Sequence, residues 1–281
     1  MIVAVAGAGT MGSGIAQACA VAGHEVKLFD SSEAARKRGI DAVKDSLARI
    51  VKKEKISEDD KAEALSRITL VGDSDRFKDA DVIIEAIFED VDAKRGLWEE
   101  IDKVAKEDAL LASNTSSLSV TELASFTSRP DRFCGVHFFN PVAVLPLVEI
   151  VRGLRTSAET VAEAKTFVEG IGKTPIVCED KPGFIVNRLL IPYINDAVHA
   201  LAEGVASAED IDKAMRLGAN MPIGPLALAD LVGLDVVLAA GESLYREFQD
   251  SKFRINPLVR QMVRAGKLGR KSGEGFYTYD S

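Results

Sequence analysis

The sequence predicts an α/β fold with a doubly wound, mainly parallel sheet, followed by an all-α domain. In the first part of the chain, short runs rich in β-branched residues alternate with amphipathic helical patterns, which is typical of parallel sheets flanked by helices. After Pro182 and Gly183 the strand-like runs almost cease and helical patterns dominate. We therefore expect one domain over residues 1–181 and a helical domain over residues 182–281.

The predicted strands of the first domain are short apolar runs separated by helical patterns. They span residues 2–7, 25–30, 68–72, 81–87, 109–113, 133–139 and 174–178, and the run that contains Glu149 is a further candidate. Between the second and third strands, Ile40, Val43, Leu47 and Ile50 recur at helical spacing. This spacing predicts a helix with one apolar face against the sheet.

The composition is that of a soluble globular protein and excludes several functional classes. The chain has 281 residues and a formal net charge of −8, which argues against binding to nucleic acid or to an anionic membrane. Its three cysteines and three histidines are scattered, so we expect neither disulfides nor a metal site, and a cytoplasmic location. The low-charge segment that starts at Met221 is interrupted by proline, glycine and aspartate. It predicts a buried bundle or a subunit interface rather than a membrane span.

The stretch "VAGAGTMGSG" follows the first predicted strand and begins a helix. Gly7, Gly9 and Gly12 allow a tight turn, a close approach of the backbone to a pyrophosphate, and close packing of helix on strand. Thr10 and Met11 lie within the same turn, where the helix N-terminus favours phosphate. The motif predicts a Rossmann-type dinucleotide site, although alone it also fits FAD or a simple tight turn.

An acidic residue at the end of the second predicted strand indicates which dinucleotide is bound. Asp30 lies 18 residues beyond Gly12, where a carboxylate accepts hydrogen bonds from a ribose 2′-hydroxyl. It would repel a 2′-phosphate, so the sequence favours NAD over NADP. Arg36 and Arg38 are further along the next helix and are not expected to reverse this preference.

The stretch "GVHFFNPVAVLPLVEI" contains an imidazole and a carboxylate among apolar residues. Burying His137 and Glu149 is costly unless each group is paired. One hypothesis is that Glu149 orients the ring while its other nitrogen exchanges a proton with a substrate hydroxyl, as alcohol oxidation requires. The alternative is an ordinary core histidine.

Two further polar segments are candidates for the same site. Asn114, Thr115, Ser116 and Ser117 follow a predicted strand, and the spacing of Ser119 and Glu122 predicts a capping box. Because Ser119 fills the helix-capping role, Ser116 is available to face the ligand-binding crevice at the carboxyl ends of the predicted strands. In the second domain, Asn187 is either a helix–helix hydrogen-bonding residue or a polar group of the site.

The stretches "GAGTMGSGIAQ", "EAIFEDVDAK", "SNTSSL", "HFFNPV", "LVEI", "PGFIVNRLL" and "GRKSGEGFY" together resemble the motifs of the 3-hydroxyacyl-CoA dehydrogenase family. The similarity is greatest to bacterial members that act on 3-hydroxybutyryl-CoA, and it covers essentially the whole chain in order and spacing. The family resemblance implies NAD-dependent interconversion of (3S)-3-hydroxyacyl-CoA and 3-oxoacyl-CoA. We also expect the apolar helices of the second domain to form a homodimer interface.

The resemblance also implies a role for individual residues. His137 would be the general acid/base, oriented by Glu149, while Ser116 and Asn187 would hydrogen-bond the 3-oxygen of the acyl chain. Asp30 would bind the adenosine ribose. The rest of the NAD site would include Glu89, Lys94, Asn114 and Lys271, and Lys94 is also a candidate contact of the acyl-CoA.

The nucleotide end of CoA would contact Ser46 and Lys53. Ser46, Arg49 and Lys53 have a spacing that places them on one helical face, and a solvated helix surface is the alternative. Pro146 departs from the family, in which many members carry lysine. Its missing N–H predicts an edge or kinked strand close to Glu149.

Two other functions stay open at this point. A dehydrogenase of free β-hydroxy acids or sugar acids would keep the fold and lose the dependence on CoA. A non-catalytic NAD-binding scaffold would need the glycine turn but not the combination of Ser116, His137, Glu149 and Asn187.

Overall fold

The structure is a computed structural model that describes residues 1–279. The chain divides into two compact units, Met1–Lys181 and Pro182–Ser281. The strands of the first unit are β1 (Ile2–Ala6), β2 (Glu25–Phe29), β3 (Ile68–Val71), β4 (Val82–Glu85), β5 (Leu110–Ser113), β6 (Phe133–Phe138), β7 (Leu147–Arg152) and β8 (Thr174–Glu179). Its helices are α1 (Thr10–Val21), α2 (Glu33–Lys52), α3 (Glu58–Ser66), α4 (Val91–Val104), α5 (Val120–Ala124) and α6 (Ala158–Gly170).

The eight strands form a single sheet in the order β3-β2-β1-β4-β5-β6-β7-β8. All neighbouring strands are parallel except β6 and β7, which are antiparallel. The chain proceeds outward from β1 in one direction and returns to continue from β4 in the other, so the switch point lies between these two strands. Ligands of doubly wound sheets bind beyond the carboxyl ends of the strands at such a point. The predicted fold class is confirmed.

The central strands are apolar because both of their faces are covered. Every residue of β4, β5 and β6 is buried, and so are the last four of β1. Their runs of valine, isoleucine, leucine and alanine match the composition expected of a parallel sheet with helices on both faces. Polar side chains that occur within these strands are therefore held in a dry environment.

The strand that contains Glu149 is an interior strand, so of the two alternatives predicted from Pro146, an edge strand or a kinked strand, the edge strand is wrong. Pro146 lies one residue before β7, where its missing N–H removes no ladder bond, and its carbonyl accepts a hydrogen bond of 2.8 Å from Thr174 N. The Lys173 ammonium donates to the carbonyl of Leu145 at 2.9 Å. The segment before β7 is therefore fixed from its β8 side, and β8 itself is the edge.

The second unit consists of helices α7 (Val186–Ala202), α8 (Ala208–Gly218), α9 (Pro225–Val232), α10 (Leu234–Phe248) and α11 (Pro257–Arg264). Their apolar faces form one core that includes Ile194, Val198, Leu226, Leu234 and Val237. The low-charge segment from Met221 onward forms α9 and α10. Of the helices in residues 1–279, none combines the length and the apolar character needed to cross a bilayer.

Two buried aspartates fasten the C-terminal segment onto the second unit. Asp230 accepts hydrogen bonds from Phe276 N, Tyr277 N and the Tyr279 hydroxyl, each 2.9 Å long. Asp212 accepts one of 2.8 Å from the Tyr277 hydroxyl. A buried carboxylate is tolerated when several donors satisfy its oxygens, so these bonds hold the segment in place.

Candidate active site

The three glycines of the first turn are each required for a different physical reason. Gly7 has a φ of +114°, and a Cβ there would lie 2.5 Å from the carbonyl oxygen of Ala86. A Cβ on Gly12 would lie 1.8 Å from the Gly7 carbonyl oxygen, so helix and turn pack without a side chain between them. A Cβ on Gly9 would meet nothing within 4 Å. Gly9 therefore borders open space, as expected where the backbone must approach a ligand.

Helix α1 presents its N-terminus at this turn. Gly9 is the N-cap residue and no side chain within residues 1–279 caps the helix, so the turn offers backbone N–H groups of the kind that bind phosphate. Asp30 follows β2, and its carboxylate accepts hydrogen bonds from Ala8 N at 3.1 Å and Ser32 N at 3.0 Å. The structure thus brings Asp30 to the glycine turn.

The Arg36 guanidinium also reaches this place. It donates a hydrogen bond from the first turn of α2 to the backbone carbonyl of Asp30. This contact brings Arg36 close to Asp30, while the expectation that Arg36 does not reverse the preference for NAD stays a prediction. Its contact is with the carbonyl and not with the carboxylate, so the negative charge of Asp30 is not neutralised by a direct ion pair with Arg36.

A cavity of about 440 Å³ extends from the glycine turn along α2. Its lining includes Gly9, Asp30, Ser46 and Arg49 together with the segment 140–143. The structure therefore brings Ser46 and Arg49 to the same cavity as the glycine turn. Lys53 is not among the lining residues; it is the C-cap of α2, with φ −92° and ψ 10°.

His137 and Glu149 face each other across the only antiparallel pair of strands among the described residues. The register of β6 and β7 places them directly opposite, and the ring Nδ1 and the carboxylate Oε2 are 2.7 Å apart. His137 is 5% exposed and Glu149 is 0% exposed. A carboxylate partner fixes the ring orientation and stabilises the imidazolium form.

Asn114 connects the ends of three strands. Its N–H donates to the Glu85 carbonyl at 2.7 Å, and its side-chain oxygen accepts from Phe138 N at 2.9 Å. Phe138 is the residue after His137, so this bond fixes the backbone beside the imidazole. Asn114 is 8% exposed, which leaves only a small part of it accessible to a ligand.

The segment that contains Ser116 is held by the carboxylate of Glu89. Glu89 accepts hydrogen bonds from Ser116 N at 2.7 Å and from the Thr115 hydroxyl at 2.9 Å, and the Ser116 hydroxyl is 3.4 Å from it. Ser119 caps α5 by accepting from Glu122 N at 3.2 Å. The capping role predicted for Ser119 is confirmed, and Ser116 is half-buried.

Lys94 is almost completely buried and is paired with an acid that the sequence analysis did not single out. Its ammonium is 2.5 Å from Glu85 Oε1 and 3.7 Å from Glu89 Oε2, and Lys94 and Glu85 are 1% and 0% exposed. Glu85 also accepts from the Ser113 hydroxyl at 2.7 Å. The signal that could have revealed Glu85 is the one that revealed His137: an ionisable residue inside an apolar strand.

The two remaining candidates lie in the second unit. Asn187 is the second residue of α7 and is half-buried. The Lys271 ammonium is 2.5 Å from the Asp235 carboxylate.

The cysteines and acidic residues form no metal site in the part of the chain that the structure describes. No group of three or more histidine, cysteine, aspartate or glutamate side chains is arranged to hold an ion there. Cys19 and Cys134 are buried free thiols, and burial raises the pKa of each to about 12. They are therefore neutral groups of the core.

Comparisons with known proteins identify the family to which this chain is similar. The model of the 3-hydroxyacyl-CoA dehydrogenase NAD-binding domain matches residues 2–181, and that of the C-terminal domain of the same enzymes matches residues 183–279. A 3-hydroxybutyryl-CoA dehydrogenase of Clostridioides difficile is 49% identical over 280 residues, covering 100% of both chains. The mitochondrial hydroxyacyl-coenzyme A dehydrogenase of Sus scrofa is 43% identical, covering 99% of this chain and 90% of its own.

A solved structure gives the same result in three dimensions. The crystal structure of (S)-3-hydroxybutyryl-CoA dehydrogenase from Ralstonia eutropha superimposes with a TM-score of 0.95 and 52% identity, covering 100% of this chain and 99% of that chain. Sequence, fold and domain order therefore agree, and the chain belongs to the 3-hydroxyacyl-CoA dehydrogenase family.

Proposed function

We propose that the protein interconverts (3S)-3-hydroxyacyl-CoA and 3-oxoacyl-CoA with NAD, and that its substrates are the short-chain pair 3-hydroxybutyryl-CoA and acetoacetyl-CoA. The observation that carries the proposal is the buried hydrogen bond between His137 and Glu149, which is the acid/base device that oxidation of an alcohol requires. The names of the relatives support the CoA ester and the short chain.

The glycine turn and Asp30 fit an NAD cofactor. Gly9 leaves room for a pyrophosphate beside the N-terminus of α1, and the Asp30 carboxylate lies close enough to the turn to accept hydrogen bonds from a ribose. When bound, NAD would supply the hydride acceptor for oxidation and, as NADH, the hydride donor for reduction. The carboxylate of Asp30 disfavours a 2′-phosphate, and Arg36 is the cation that could weaken this preference.

The chain's own residues perform the proton transfer. Because Glu149 engages Nδ1, the proposal assigns Nε2 of His137 to the substrate hydroxyl. During oxidation His137 takes the hydroxyl proton and becomes an imidazolium that Glu149 stabilises; during reduction it returns the proton. Ser116 and Asn187 would donate hydrogen bonds to the 3-oxygen, where negative charge develops.

The remaining assignments extend the same proposal. The first unit would bind NAD and the second would contribute to substrate binding. The further NAD contacts that we propose are Gly7, Thr10, Met11, Gly12, Glu89, Lys94, Asn114 and Lys271. The proposed contacts to the nucleotide end of CoA are Ser46 and Lys53, and Ser46 is supported by its position in the cavity beside Arg49.

We also propose a cytoplasmic homodimer that assembles through the helical unit. Several apolar side chains of that unit are exposed to solvent, among them Leu217 at 75% and Leu231 at 54%, and exposed apolar residues mark interaction surfaces when they cluster. The substitution Leu217→Glu should shift the mass measured by light scattering toward the monomer. Leu154→Glu, at an 86% exposed leucine of the first unit, is the matched control and should leave it unchanged.

The decisive experiment compares acetoacetyl-CoA with free acetoacetate as oxidants of NADH. Fast turnover of the CoA ester alone is the expected result. Turnover of the free acid would replace the proposal by a dehydrogenase of free β-hydroxy acids. If neither reacts while NADH binds, longer acyl chains are tested next, and a failure of all chain lengths would leave a non-catalytic NAD-binding protein.

A further inference from the structure

We propose that Glu85 is a positioning residue of the active site. From the carboxyl end of β4, it sets the geometry of the Thr115–Ser116 segment. The inference rests on the proposed function, because it concerns the reaction in which Ser116 takes part. Glu85 itself touches neither substrate nor cofactor in this proposal. It acts through two chains of hydrogen bonds and ion pairs, one of which ends at Thr115 and the other at Ser116.

The first chain passes through the neighbouring strand. Glu85 is the last residue of β4 and Ser113 is the last residue of β5, and the register pairs them directly. The Ser113 hydroxyl donates to Glu85 Oε2 at 2.7 Å and accepts from Thr115 N at 3.1 Å. The carboxylate thus fixes the hydroxyl that holds the residue immediately before Ser116.

The second chain passes through the buried lysine. Glu85 Oε1 is 2.5 Å from the Lys94 ammonium, which is 3.7 Å from Glu89 Oε2. Glu89 in turn accepts the N–H of Ser116 at 2.7 Å. The charge on Glu85 therefore decides how strongly Lys94 attracts Glu89, and with it the backbone of Ser116.

A purely structural role explains these residues less well. Lys94 and Glu85 are 1% and 0% exposed, and the desolvation of such a pair offsets most of its attraction, so a buried ion pair is weak support for stability. Apolar residues would fill the same volume without that cost. What the ion pair adds is a fixed direction for each hydrogen bond at the carboxyl ends of β4 and β5.

The substitution Glu85→Gln tests this coupling with little change in shape. A glutamine offers one acceptor oxygen and one amide, and the amide is a donor that cannot accept from Lys94 or from the Ser113 hydroxyl. Lys94 is then left with Glu89 as its nearest carboxylate, which should draw Glu89 away from Ser116. We expect kcat to fall by about 10- to 100-fold, the range typical of lost positioning and electrostatic stabilisation.

The readout is the coupling between two substitutions, measured as kcat for acetoacetyl-CoA reduction in a double-mutant cycle. If Glu85 acts by placing Ser116, then Glu85→Gln in a Ser116→Ala background should cost less than about threefold, because the group being positioned is already gone. Equal losses in the two backgrounds would overturn the proposal, since a general structural defect is indifferent to Ser116.

The matched control lies at the opposite end of the same strand. Asp81, immediately before β4, accepts from Ile2 N at 2.8 Å and from the Lys106 ammonium at 2.6 Å. Asp81→Asn should lower the melting temperature and leave kcat within about twofold in both backgrounds, because that pair is at the amino edge of the sheet, away from where ligands bind. A loss in the control as large as that of Glu85→Gln would overturn the assignment.

If Glu85→Gln does not fold, judged by its melting curve and by NADH fluorescence, Ser113→Ala replaces it. This change removes only the first chain, so a loss of kcat that vanishes in the Ser116→Ala background supports the proposal and an additive loss overturns it.

The proposed function and the proposed role of Glu85 would fail in different experiments. An inactive wild-type protein refutes the function, whereas an active one with additive losses refutes the role of Glu85 alone.

Discussion

The substitution Glu149→Gln should reduce turnover while leaving cofactor binding almost unchanged. The carboxylate of Glu149 is completely buried and its oxygen is 2.7 Å from His137 Nδ1. Glutamine has the same shape and can still accept from Nδ1–H, so the neutral ring keeps its position. In the proposed mechanism, what is lost is the negative charge that would stabilise the imidazolium formed when His137 takes the substrate proton.

The expected loss follows from the energy of that interaction. A hydrogen bond to a charged group contributes about 1.5–3 kcal/mol, and each factor of ten in rate corresponds to about 1.4 kcal/mol. We therefore expect kcat to fall by about 10- to 150-fold. The loss should fall on kcat because the charge on the ring exists only after proton transfer has begun.

The assay is the disappearance of NADH absorbance with acetoacetyl-CoA, together with NADH binding measured by fluorescence. Glu179→Gln is the control, because it makes the same change at an exposed residue of the neighbouring strand β8. A Glu149→Gln protein with kcat within about twofold of the wild type would refute the reasoning, since a charge-assisted bond cannot be both formed and without effect.

Three further predictions test the cofactor site and the second unit. Gly12→Ala should lower both the melting temperature and the NADH affinity, because its Cβ would overlap a backbone carbonyl. Gly9→Ala should weaken NADH binding alone, because its Cβ would meet nothing within 4 Å. Melting curves and fluorescence titrations with NADH distinguish the two effects. Asp30→Ala should narrow the preference for NADH over NADPH, measured as the ratio of kcat/KM values. Burial and the hydrogen bond to Asp212 raise the pKa of the Tyr277 hydroxyl in the folded protein above its ordinary value of 10.0. The hydroxyl therefore contributes its full stabilisation below pH 10.0, and this stabilisation is lost as the pH rises through the pKa of the folded state. Tyr277→Phe should therefore lower the melting temperature at neutral pH and make its alkaline decline shallower.

The architecture of the first unit could be predicted because it depends on local patterns. The alternation of strand and helix and the glycine turn are both readable within about 30 residues, the length of one βαβ unit. The antiparallel direction of β7 could not be deduced in the same way, since it depends on how a connection of eight residues between Phe138 and Leu147 closes. Pro146 illustrates the difficulty: its missing N–H predicts an edge strand or a kinked strand, but the residue lies just outside an interior strand.

The helical face of α2 shows where periodicity ceases to be informative. Ser46, Arg49 and Lys53 share a face only as long as the helix continues. Ser46 and Arg49 line the cavity, whereas Lys53, the cap residue after the last helical residue Lys52, does not. Helix ends are set by capping interactions that involve tertiary contacts, and those are not visible in the spacing.

The buried charges of the first unit follow one physical rule that unites the candidate site. Glu85, Glu149 and Lys94 are at most 1% exposed. The sequence suggests the partner of Glu149, but it does not reveal the pairing of Glu85 with Lys94, because these two residues lie on β4 and on α4. The strand register places Glu85 beside Ser113 and Glu149 beside His137 near the carboxyl ends of β4, β5 and β6, and Lys94 reaches Glu85 from α4. A core that needed only stability would have little use for three such groups, since a buried ion pair barely repays its desolvation. A site that must receive a proton and bind a developing oxyanion needs each of them in a fixed direction, which is why we assign these strand ends, and not the cavity along α2, to the chemical step.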